Sequence, residues 1–461
     1  MGTAMTRRDF VRLAGAGAAS LALSQVAGAK PQRKPNFVLF FADDMGYGDL
    51  NCYGHPTIRT PHLDRMAEEG IRLTSFYATA PFCTPSRAAL LTGRYPIRCG
   101  QPNNLGPGSK KGLPLSEITL ANALKKEGYR TMAIGKWHLG HNPSEYLPTS
   151  RGFDSYYGLL YSNDMIRPWV NTDVPMHLYR DTEPIEKHPV DQDTLTERYA
   201  EEAVKFIKAS KDEPFFLYIP HSMPHLPVRT SEKFHGESRA ALYGDVIETI
   251  DWSVGRVLET LKEQGLDENT MVIFTSDNGP WLNLPDRMLQ EGNERWHAGS
   301  KGLLRGAKGN TYEGGMRVPG IVRWPGRVPA GQISADMACT MDLFATIVKA
   351  AGGKLPSDRK IDGMDIMPLL EGKARSPRKE FFYCRSRNVE AVREGPWKLR
   401  ISRHAREDVG RGDPLTPELF HLDRDPAEQY NVADRQPEIV ERLKGKLQRL
   451  AKELNGNLAD A

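Results

Sequence analysis

Four acidic or amide side chains follow two apolar runs of this 461-residue sequence. Asp43 and Asp44 come directly after the run at 36–42, and Asp277 and Asn278 follow closely on the run at 271–275. Carboxylates placed together repel one another unless a cation lies among them, and hard oxygen ligands favour Ca²⁺ or Mg²⁺ over Zn²⁺. Calcium tolerates about six to eight ligands in flexible geometry. We therefore predict one Ca²⁺ site with these four residues as its ligands.

Cys83 is the candidate nucleophile. It lies in the run PFCTPSRAALL, in which Thr84 can cap a helix and Pro85 can begin it. Cys83 would then stand just ahead of the positive end of the helix, where an anion is favourable. Arg87 would lie in the first turn, against the helix dipole, which indicates an anionic or strongly polarised group at Cys83.

The chemical state of Cys83 has three interpretations. A lone cysteine is most often a buried structural residue. A thiolate nucleophile would have its pKa raised by the neighbouring carboxylates, whereas a neutral gem-diol oxygen bound to calcium suits acidic surroundings. The residues thus favour a modified Cys83 without identifying the modification. The five cysteines are few and scattered, and they suggest neither a disulfide framework nor a zinc site.

Four apolar runs position these residues. The runs at 36–42, 131–134, 215–219 and 271–275 are typical of strands buried on both faces of a parallel sheet. Helical spacing is found between and beside them, at 63–69, 115–127, 195–209 and 242–264. The alternation predicts an α/β sheet with helices on both faces.

Each of the four predicted strands is followed by charged or polar residues. Besides the acidic residues these are Lys136 and His138 after the second strand, and His221 and His225 after the third. Any one of them alone would be an ordinary turn former or cap. Ligands in open α/β sheets bind outside the carboxyl ends of the strands, so four such ends predict one functional site.

The two ends of the chain differ from this central part. Beyond residue 375, short strand candidates at 381–384, 389–393 and 397–401 precede an amphipathic helix at 439–454, which predicts a small antiparallel sheet with a helix packed on it. We therefore divide the chain into residues 1–29, a main domain at 30–375 and a C-terminal α+β subdomain at 376–461.

Residues 1–29 are typical of a twin-arginine-type signal peptide. Arg7 and Arg8 precede a short Gly/Ala-rich apolar stretch, and the small residues at 27–29 suit cleavage after Ala29. We expect export to the periplasm or beyond by the twin-arginine machinery, with a disordered basic tail as the alternative. The stretch is too short for a stable membrane span. Removing it lowers the formal net charge from +4 to +2, which gives no electrostatic case for nucleic-acid binding.

Residues 83–87, CTPSR, match the C-x-P-S-R signature of the type I sulfatases, whose cysteine a maturation enzyme oxidises to formylglycine (3-oxoalanine). Ordered blocks also resemble that family: DDMGYGD at 43–49, AALLTGR at 88–94, GKWHLG at 135–140, SDNG at 276–279 and KGNTYEGG at 308–315. The block at 43–49 and RGFD at 151–154 most resemble the arylsulfatase A and N-acetylgalactosamine-6-sulfatase group. The resemblance implies an alkaline phosphatase-like fold with a large mixed, mostly parallel sheet, and calcium ligation completed by an oxygen on modified Cys83.

The resemblance also implies roles for single residues. Arg87 resembles the residue that holds the formylglycine hydrate, and Lys136 and Lys308 resemble the sulfate-binding lysines. His138 resembles the base that breaks down the sulfated intermediate, and His225 the group at the leaving oxygen. We interpret the other histidines near the motifs as structural: His141, His221, which could equally orient a neighbour, and His297.

The expected activity is hydrolysis of a sulfate monoester on an aryl group or a carbohydrate. The sequence does not identify the natural substrate, because the expected substrate-contacting loops at 161–186 and 283–295 carry no interpretable motif. One alternative is a phosphodiesterase or phosphonate monoester hydrolase of the same superfamily, but such enzymes usually hold two transition metals and the sequence shows one oxygen-rich site. The other is a non-catalytic binding protein, against which the complete set of candidate residues argues.

Overall fold

The computed structural model describes residues 33–401 and 417–458, so the predicted signal peptide lies outside the described residues. The described strands are β1 Asn36–Ala42, β2 Ile71–Leu73, β3 Phe76–Tyr77, β4 Arg130–Ile134, β5 Ser155–Leu159, β6 Leu178–Arg180, β7 Glu183–Glu186, β8 Phe215–Pro220, β9 Thr270–Ser276, β10 Gly320–Arg323, β11 Gln332–Ser334, β12 Ala338–Cys339, β13 Glu380–Arg385, β14 Asn388–Glu394, β15 Trp397–Arg400, β16 Glu418–His421 and β17 Asn457–Leu458. The described α-helices are α1 Pro61–Glu68, α2 Cys83–Thr92, α3 Leu120–Lys126, α4 Leu195–Ala209, α5 Ala241–Glu263, α6 Glu313–Met316, α7 Thr340–Ala350, α8 Met367–Leu370 and α9 Pro437–Leu454.

The main sheet has ten strands in the order β11-β2-β10-β9-β1-β8-β4-β5-β6-β7. Its central strands, from β9 to β5, run parallel, and antiparallel pairs lie towards both edges. The four predicted strands are β1, β4, β8 and β9, with bounds within one residue of the prediction. All of β1 and β9 is buried, as their continuous apolar sequences require. The predicted mixed, mostly parallel sheet is confirmed.

The register of these strands brings their carboxyl ends to one level. Ala42 at the end of β1 pairs with Ser276 at the end of β9, and Phe41 pairs with Pro220 at the end of β8. Lys136, two residues after β4, donates its backbone N–H to the carbonyl of Pro220 at 2.6 Å. The segments after all four strands therefore start at the same edge of the sheet.

The helices form two packed groups: α1 and α4 pack against α5, and α2 and α3 pack against α7. The predicted helix at 115–127 is too long, because α3 begins at Leu120. Thr119 caps it: its hydroxyl accepts the N–H of Asn122 and Asn122 Oδ1 accepts the N–H of Thr119, both at 3.1 Å. No helix within the described ranges is both long enough and apolar enough to cross a bilayer.

A second sheet lies in the C-terminal part of the chain. Strands β13 to β16 are antiparallel in sequence order, with β17 parallel beside β14, and α9 packs against β14. This confirms the predicted small antiparallel sheet with a helix. Its apolar core also contains Tyr77, Tyr95 and Met316 from earlier in the chain. The proposed domain boundary at residue 375 stays a prediction.

We expect Asp342→Ala to lower the free energy of unfolding by about 3–5 kcal/mol, because it leaves Arg378 as an uncompensated buried charge. Arg378 Nε donates to Asp342 Oδ2 at 2.9 Å, and the side chains are 3% and 0% exposed. Asp342 also accepts the N–H of Cys339 at the start of α7, at 2.9 Å. Urea unfolding measures the loss. Arg167→Ala, which breaks an exposed pair with Asp173, should cost at most about 1 kcal/mol; equal losses would contradict the prediction.

Candidate active site

The two acidic pairs predicted as metal ligands lie together beyond the ends of β1 and β9. Asp44 donates its backbone N–H to Asp277 Oδ1 at 3.0 Å, and Asn278 Nδ2 lies 2.7 Å from Asp44 Oδ1. These side chains and that of Asp43 are at most 3% exposed. Asp44 has a φ of 64°, in the left-handed region that Asp tolerates better than most residues. The turn after β1 therefore places its two carboxylates beside the residues that follow β9.

Two lysines contact these carboxylates, and of these Lys136 is buried and Lys308 is partly buried. Lys136 Nζ donates to the Asp43 carboxylate and, at 3.0 Å, to Ser162 Oγ, and Lys308 Nζ donates to Asp44 Oδ2 at 2.7 Å. Burial lowers the pKa of each ammonium group, but the facing carboxylates outweigh burial and raise it, so both lysines stay charged. The sequence did not indicate Ser162, because the preceding strand β5 was not recognised.

Arg87 is a third cation in the cluster, and its side chain has 0% exposure. Its NH2 group lies 2.8 Å from Asp277 Oδ2 and 3.5 Å from Asp43 Oδ2. Its NH1 group donates to the carbonyl of Lys136 at 2.8 Å, and its guanidinium lies 5.5 Å from the centre of the Phe41 ring. A cation early in a helix is unfavourable because it faces the positive end of the helix dipole. The carboxylates of Asp43 and Asp277 compensate for this at Arg87.

Cys83 lies inside the first turn of α2, not ahead of it as predicted. The N-cap is Phe82 and the helix begins at Cys83, two residues before Pro85. The Cys83 thiol is 1% exposed, with Sγ 3.4 Å from Asp43 Oδ1. Burial and the Asp43 charge raise the pKa of the thiol well above its usual range. An unmodified Cys83 is therefore a neutral thiol.

Thr84 does not cap the helix as predicted but holds a neighbouring loop. Its hydroxyl accepts the N–H of Leu105 at 3.3 Å, and its own N–H donates to Asn104 Oδ1 at 3.0 Å. The Leu105 carbonyl lies 2.8 Å from His138 Nε2, so this nitrogen carries the proton. His138 Nδ1 is buried with no hydrogen-bond partner among the described residues. Burial and Lys136 lower the pKa of His138, which leaves Nδ1 with a free lone pair.

His225 completes the cluster from the segment after β8. Its Nε2 lies 3.5 Å from Asp44 Oδ2, and its Nδ1 donates to the Leu226 carbonyl at 2.5 Å. Burial and the Lys308 charge lower the pKa of His225. The Trp281 ring lies beside both groups, 5.6 Å from the imidazole centre and 4.7 Å from Lys308 Nζ. Trp281 was not predicted; it lies in the segment that leads to the loop at 283–295.

The three histidines interpreted as structural bond elsewhere. His221 is buried, stacks on Phe40 and lies 3.4 Å from Ser253 Oγ of α5. His141 and His297 each bond a backbone group. The partners of these three histidines lie outside the carboxylate cluster.

The donor set fits a divalent cation. Four buried side chains each offer a possible ligand atom within 4.8 Å of the others: Asp43, Asp44, Cys83 and His225. The Asn278 Oδ1 atom is buried without a hydrogen-bond partner among the described residues. Burial and the Asp43 charge raise the pKa of Asp277 to about 7, although Lys136 and Arg87 outweigh burial at Asp43 and hold its pKa well below the usual range. A bound cation would relieve this repulsion between carboxylates.

The mixed sheet, with buried carboxylates beyond its parallel strands and with cations and a helix N-terminus facing them, agrees with the alkaline phosphatase-like fold that the sequence resemblance implied. A family model described as Sulfatase matches residues 35–353. A second, described as N-sulphoglucosamine sulphohydrolase, C-terminal, matches residues 307–453. The chain belongs to the sulfatase family and is a sulfuric ester hydrolase.

Individual relatives agree with this assignment. The chain is 38% identical to human arylsulfatase A, covering 92% of this chain and 89% of the relative. It is 39% identical to mouse N-acetylgalactosamine-6-sulfatase, covering 92% and 86%. Among solved structures, the sulfatase PsFucS1 from Pseudoalteromonas sp. has a TM-score of 0.79 at 29% identity, covering 98% of this chain and 95% of that one. Ps i-CgsB, crystallised with k-i-k-neocarrahexaose, has a TM-score of 0.77 at 28% identity, covering 91% and 93%.

We expect Thr84→Val to lower kcat for an aryl sulfate roughly fivefold, which corresponds to the loss of one hydrogen bond of about 1 kcal/mol. The variant cannot accept the N–H of Leu105, whose carbonyl orients His138. Steady-state kinetics measures the change. Thr84→Ser keeps the hydroxyl and should behave as the wild type; a similar loss in both variants would show that the hydroxyl is not responsible.

Proposed function

We propose that the chain cleaves sulfate monoesters of aryl alcohols or carbohydrates with a formylglycine hydrate made from Cys83. The observation that carries this proposal is the position of Cys83: it lies in the first turn of α2, within the C-x-P-S-R motif, 3.4 Å from Asp43 Oδ1. A buried thiol with a raised pKa is a weak nucleophile there. A hydrated aldehyde supplies two hydroxyl groups, one to attack sulfur and one through which the aldehyde reforms and sulfate leaves.

We propose Ca²⁺ as the bound metal. Its proposed ligands all offer hard oxygen atoms, and they are Asp43, Asp44, Asp277 and Asn278, with an oxygen on modified Cys83. When bound, the cation offsets charge on the sulfuryl oxygens. Lys136 and Lys308, which bond Asp43 and Asp44 in this structure, then have their ammonium groups free for the sulfate group of the substrate.

The remaining side chains have roles that follow from their surroundings. Arg87 is proposed to hold the hydrate, because its guanidinium is fixed by carboxylates beside the first turn of α2. His138 takes a proton at Nδ1 as sulfate leaves, since that atom has a free lone pair. Charge builds on the leaving oxygen in the transition state. Lys308 is proposed to meet it as a cation, and His225, when protonated at Nε2, as an acid.

Both aryl and carbohydrate sulfates are retained as substrates. The names of the relatives point to an aryl sulfate in one case and to N-acetylgalactosamine 6-sulfate in another, and Ps i-CgsB was crystallised with a carbohydrate. The loops at 161–186 and 283–295 contact each other, because Arg287 donates to the Trp169 carbonyl. Arg287 also lies 5.9 Å from the centre of the Trp281 ring, which faces His225 and Lys308. These two loops are therefore the proposed walls around the leaving group.

We also propose that residues 1–29 direct export by the twin-arginine machinery and that a formylglycine-generating maturation enzyme acts on the motif at 83–87. The paired Arg7 and Arg8 and the small residues before the expected cleavage site support export. Cleavage after Ala29 would be seen as a mature N-terminus at Lys30 in protein recovered from the periplasm. An uncleaved cytoplasmic protein would contradict this proposal.

Conversion of Cys83 should lower the mass of the tryptic peptide 73–87 by about 18 Da, in contrast to the mass gains of ordinary cysteine oxidation. Across preparations with different degrees of conversion, turnover should rise in proportion to the converted fraction, and Cys83→Ala should have none. Cys52→Ala, which alters a cysteine outside the cluster, is the matched control. Full turnover by an unconverted protein would contradict the proposed nucleophile.

The same preparations separate sulfatase activity from the superfamily alternative. Aryl sulfates, phosphodiesters and phosphonate monoesters are assayed side by side with Ca²⁺ or Mn²⁺. We expect the highest kcat/KM for the sulfate ester with Ca²⁺. A preference for phosphodiesters with Mn²⁺ would favour a phosphodiesterase instead.

Calcium should stabilise the folded protein even when Cys83 is unconverted, because four of the proposed ligands need no modification. At 100 times the dissociation constant, Ca²⁺ should add about 2.7 kcal/mol to the free energy of unfolding, measured by urea denaturation of EDTA-treated protein. Asn278→Leu removes a ligand oxygen and should weaken the effect. Asp173→Asn, which alters a side chain that is 93% exposed, should keep it. No stabilisation of the wild type by Ca²⁺ would contradict the proposed metal site.

A further inference from the structure

Two segments that carry candidate active-site residues meet a third from the C-terminal sheet. Gly309, which follows Lys308, donates its N–H to the carbonyl of Pro81 at 3.0 Å. Arg385, the last residue of β13, contacts both segments. Its Nε donates to the Gly309 carbonyl at 2.6 Å, and its guanidinium lies 5.6 Å from the centre of the ring of Phe82, the N-cap of α2. One side chain thus joins the lysine loop to the start of the cysteine helix.

The end of β13 is shaped to present Arg385. The pairing of β13 with β14 shifts register between Tyr383 and Cys384, and such bulges re-aim side chains. Ser386, directly after Arg385, has a φ of 52° in the turn between the two strands. Cys384 is buried whereas Arg385 is half-buried, so the bulge separates the core of the C-terminal sheet from the contact with Gly309.

The C-terminal part also holds the residues that follow the lysine loop. Three buried carboxylates accept hydrogen bonds from successive residues: Glu390 from Thr311 Oγ1 at 2.8 Å, Glu418 from the Tyr312 hydroxyl at 2.8 Å and Glu428 from the Glu313 N–H at 2.7 Å. These bonds fix residues 311–313. Arg385 bonds Gly309, which is nearer in the chain to Lys308 than residues 311–313 are.

We propose that Arg385 is a positioning residue for the hydrolysis proposed above: it holds the Lys308 loop against the N-terminus of α2. It thereby sets the distance between the Lys308 ammonium and the reacting group at Cys83. The inference rests on the proposed function. A planar guanidinium can donate through Nε while its face covers an aromatic ring, which a lysine cannot do. Gly309 has a φ of 94°, a backbone conformation that glycine adopts without a steric penalty.

The first expected result is a loss of turnover in Arg385→Met without loss of the fold. The variant keeps an unbranched side chain but loses the Nε donor and the planar guanidinium group. We expect kcat to fall about tenfold, since small misplacements of catalytic groups lower the rate by up to about a hundredfold. The motif at 83–87 is intact, so conversion of Cys83 should be unchanged, and kcat is divided by the converted fraction found by mass spectrometry. Arg387→Met, at an exposed position in the same turn, should keep the wild-type kcat.

A second readout separates positioning from general weakening of the structure. Lys308 is proposed to meet charge on the leaving oxygen, so its displacement should harm poor leaving groups most. The loss in Arg385→Met should therefore be larger for phenyl sulfate than for p-nitrophenyl sulfate, with KM changed less than kcat. Arg385→Lys, which keeps a cationic donor, should show a smaller loss with the same leaving-group dependence. If Arg385→Met melts at a lower temperature than the wild type, the leaving-group comparison is made with Arg385→Lys instead.

Equal losses for the two esters, or a wild-type kcat in both Arg385 variants, would overturn the positioning role. A loss in Arg387→Met as large as in Arg385→Met would overturn it as well. If fully converted wild-type protein cleaves neither of these esters nor a carbohydrate sulfate, the proposed function itself fails, and this inference fails with it.

Discussion

Carboxylates buried at one edge of the main sheet are the constraint on which the rest of the structure depends. Asp43, Asp44 and Asp277 are at most 3% exposed, and buried charges persist only when they are paired or bound to a metal. Parallel strands β1 and β9 bring the three together, because their ends are level in the sheet. The positions of the surrounding cations follow from the need to neutralise these groups.

The three cations that neutralise the cluster come from separate parts of the chain. Arg87 comes from α2, Lys136 from the end of β4 and Lys308 from the loop that precedes α6. In the proposed function the carboxylates would bind the metal, and Lys136 and Lys308 would bind the sulfate group of the substrate. The carboxylates thus have two alternative sets of partners. The hydrogen bond from Arg385 to the Gly309 carbonyl is proposed to keep Lys308 within reach of both the carboxylates and the substrate.

The sequence was most informative where one pattern has one structural meaning. The apolar runs of β1, β4, β8 and β9 predicted buried parallel strands, and the polar residues after them predicted a site at one edge. Strand β5 was missed although it is as long as β4, and with β5 the position of Ser162 was missed. The start of the helix α2 was wrong because the side chain of Thr84 could serve two purposes: it suits an N-cap by its residue type, yet it bonds the loop at Leu105 instead. Arg385 could not be predicted, since its role depends on a bulge in a distant sheet.

The most direct test of this account is a crystal structure of the fully converted protein with Ca²⁺, with anomalous diffraction data to locate the metal. The account predicts one anomalous peak enclosed by oxygen atoms of Asp43, Asp44, Asp277, Asn278 and the modified residue 83, with the Lys136 and Lys308 ammonium groups facing the substrate side. No peak in the cluster, with Lys136 still bonded to Asp43 and Lys308 to Asp44, would contradict it.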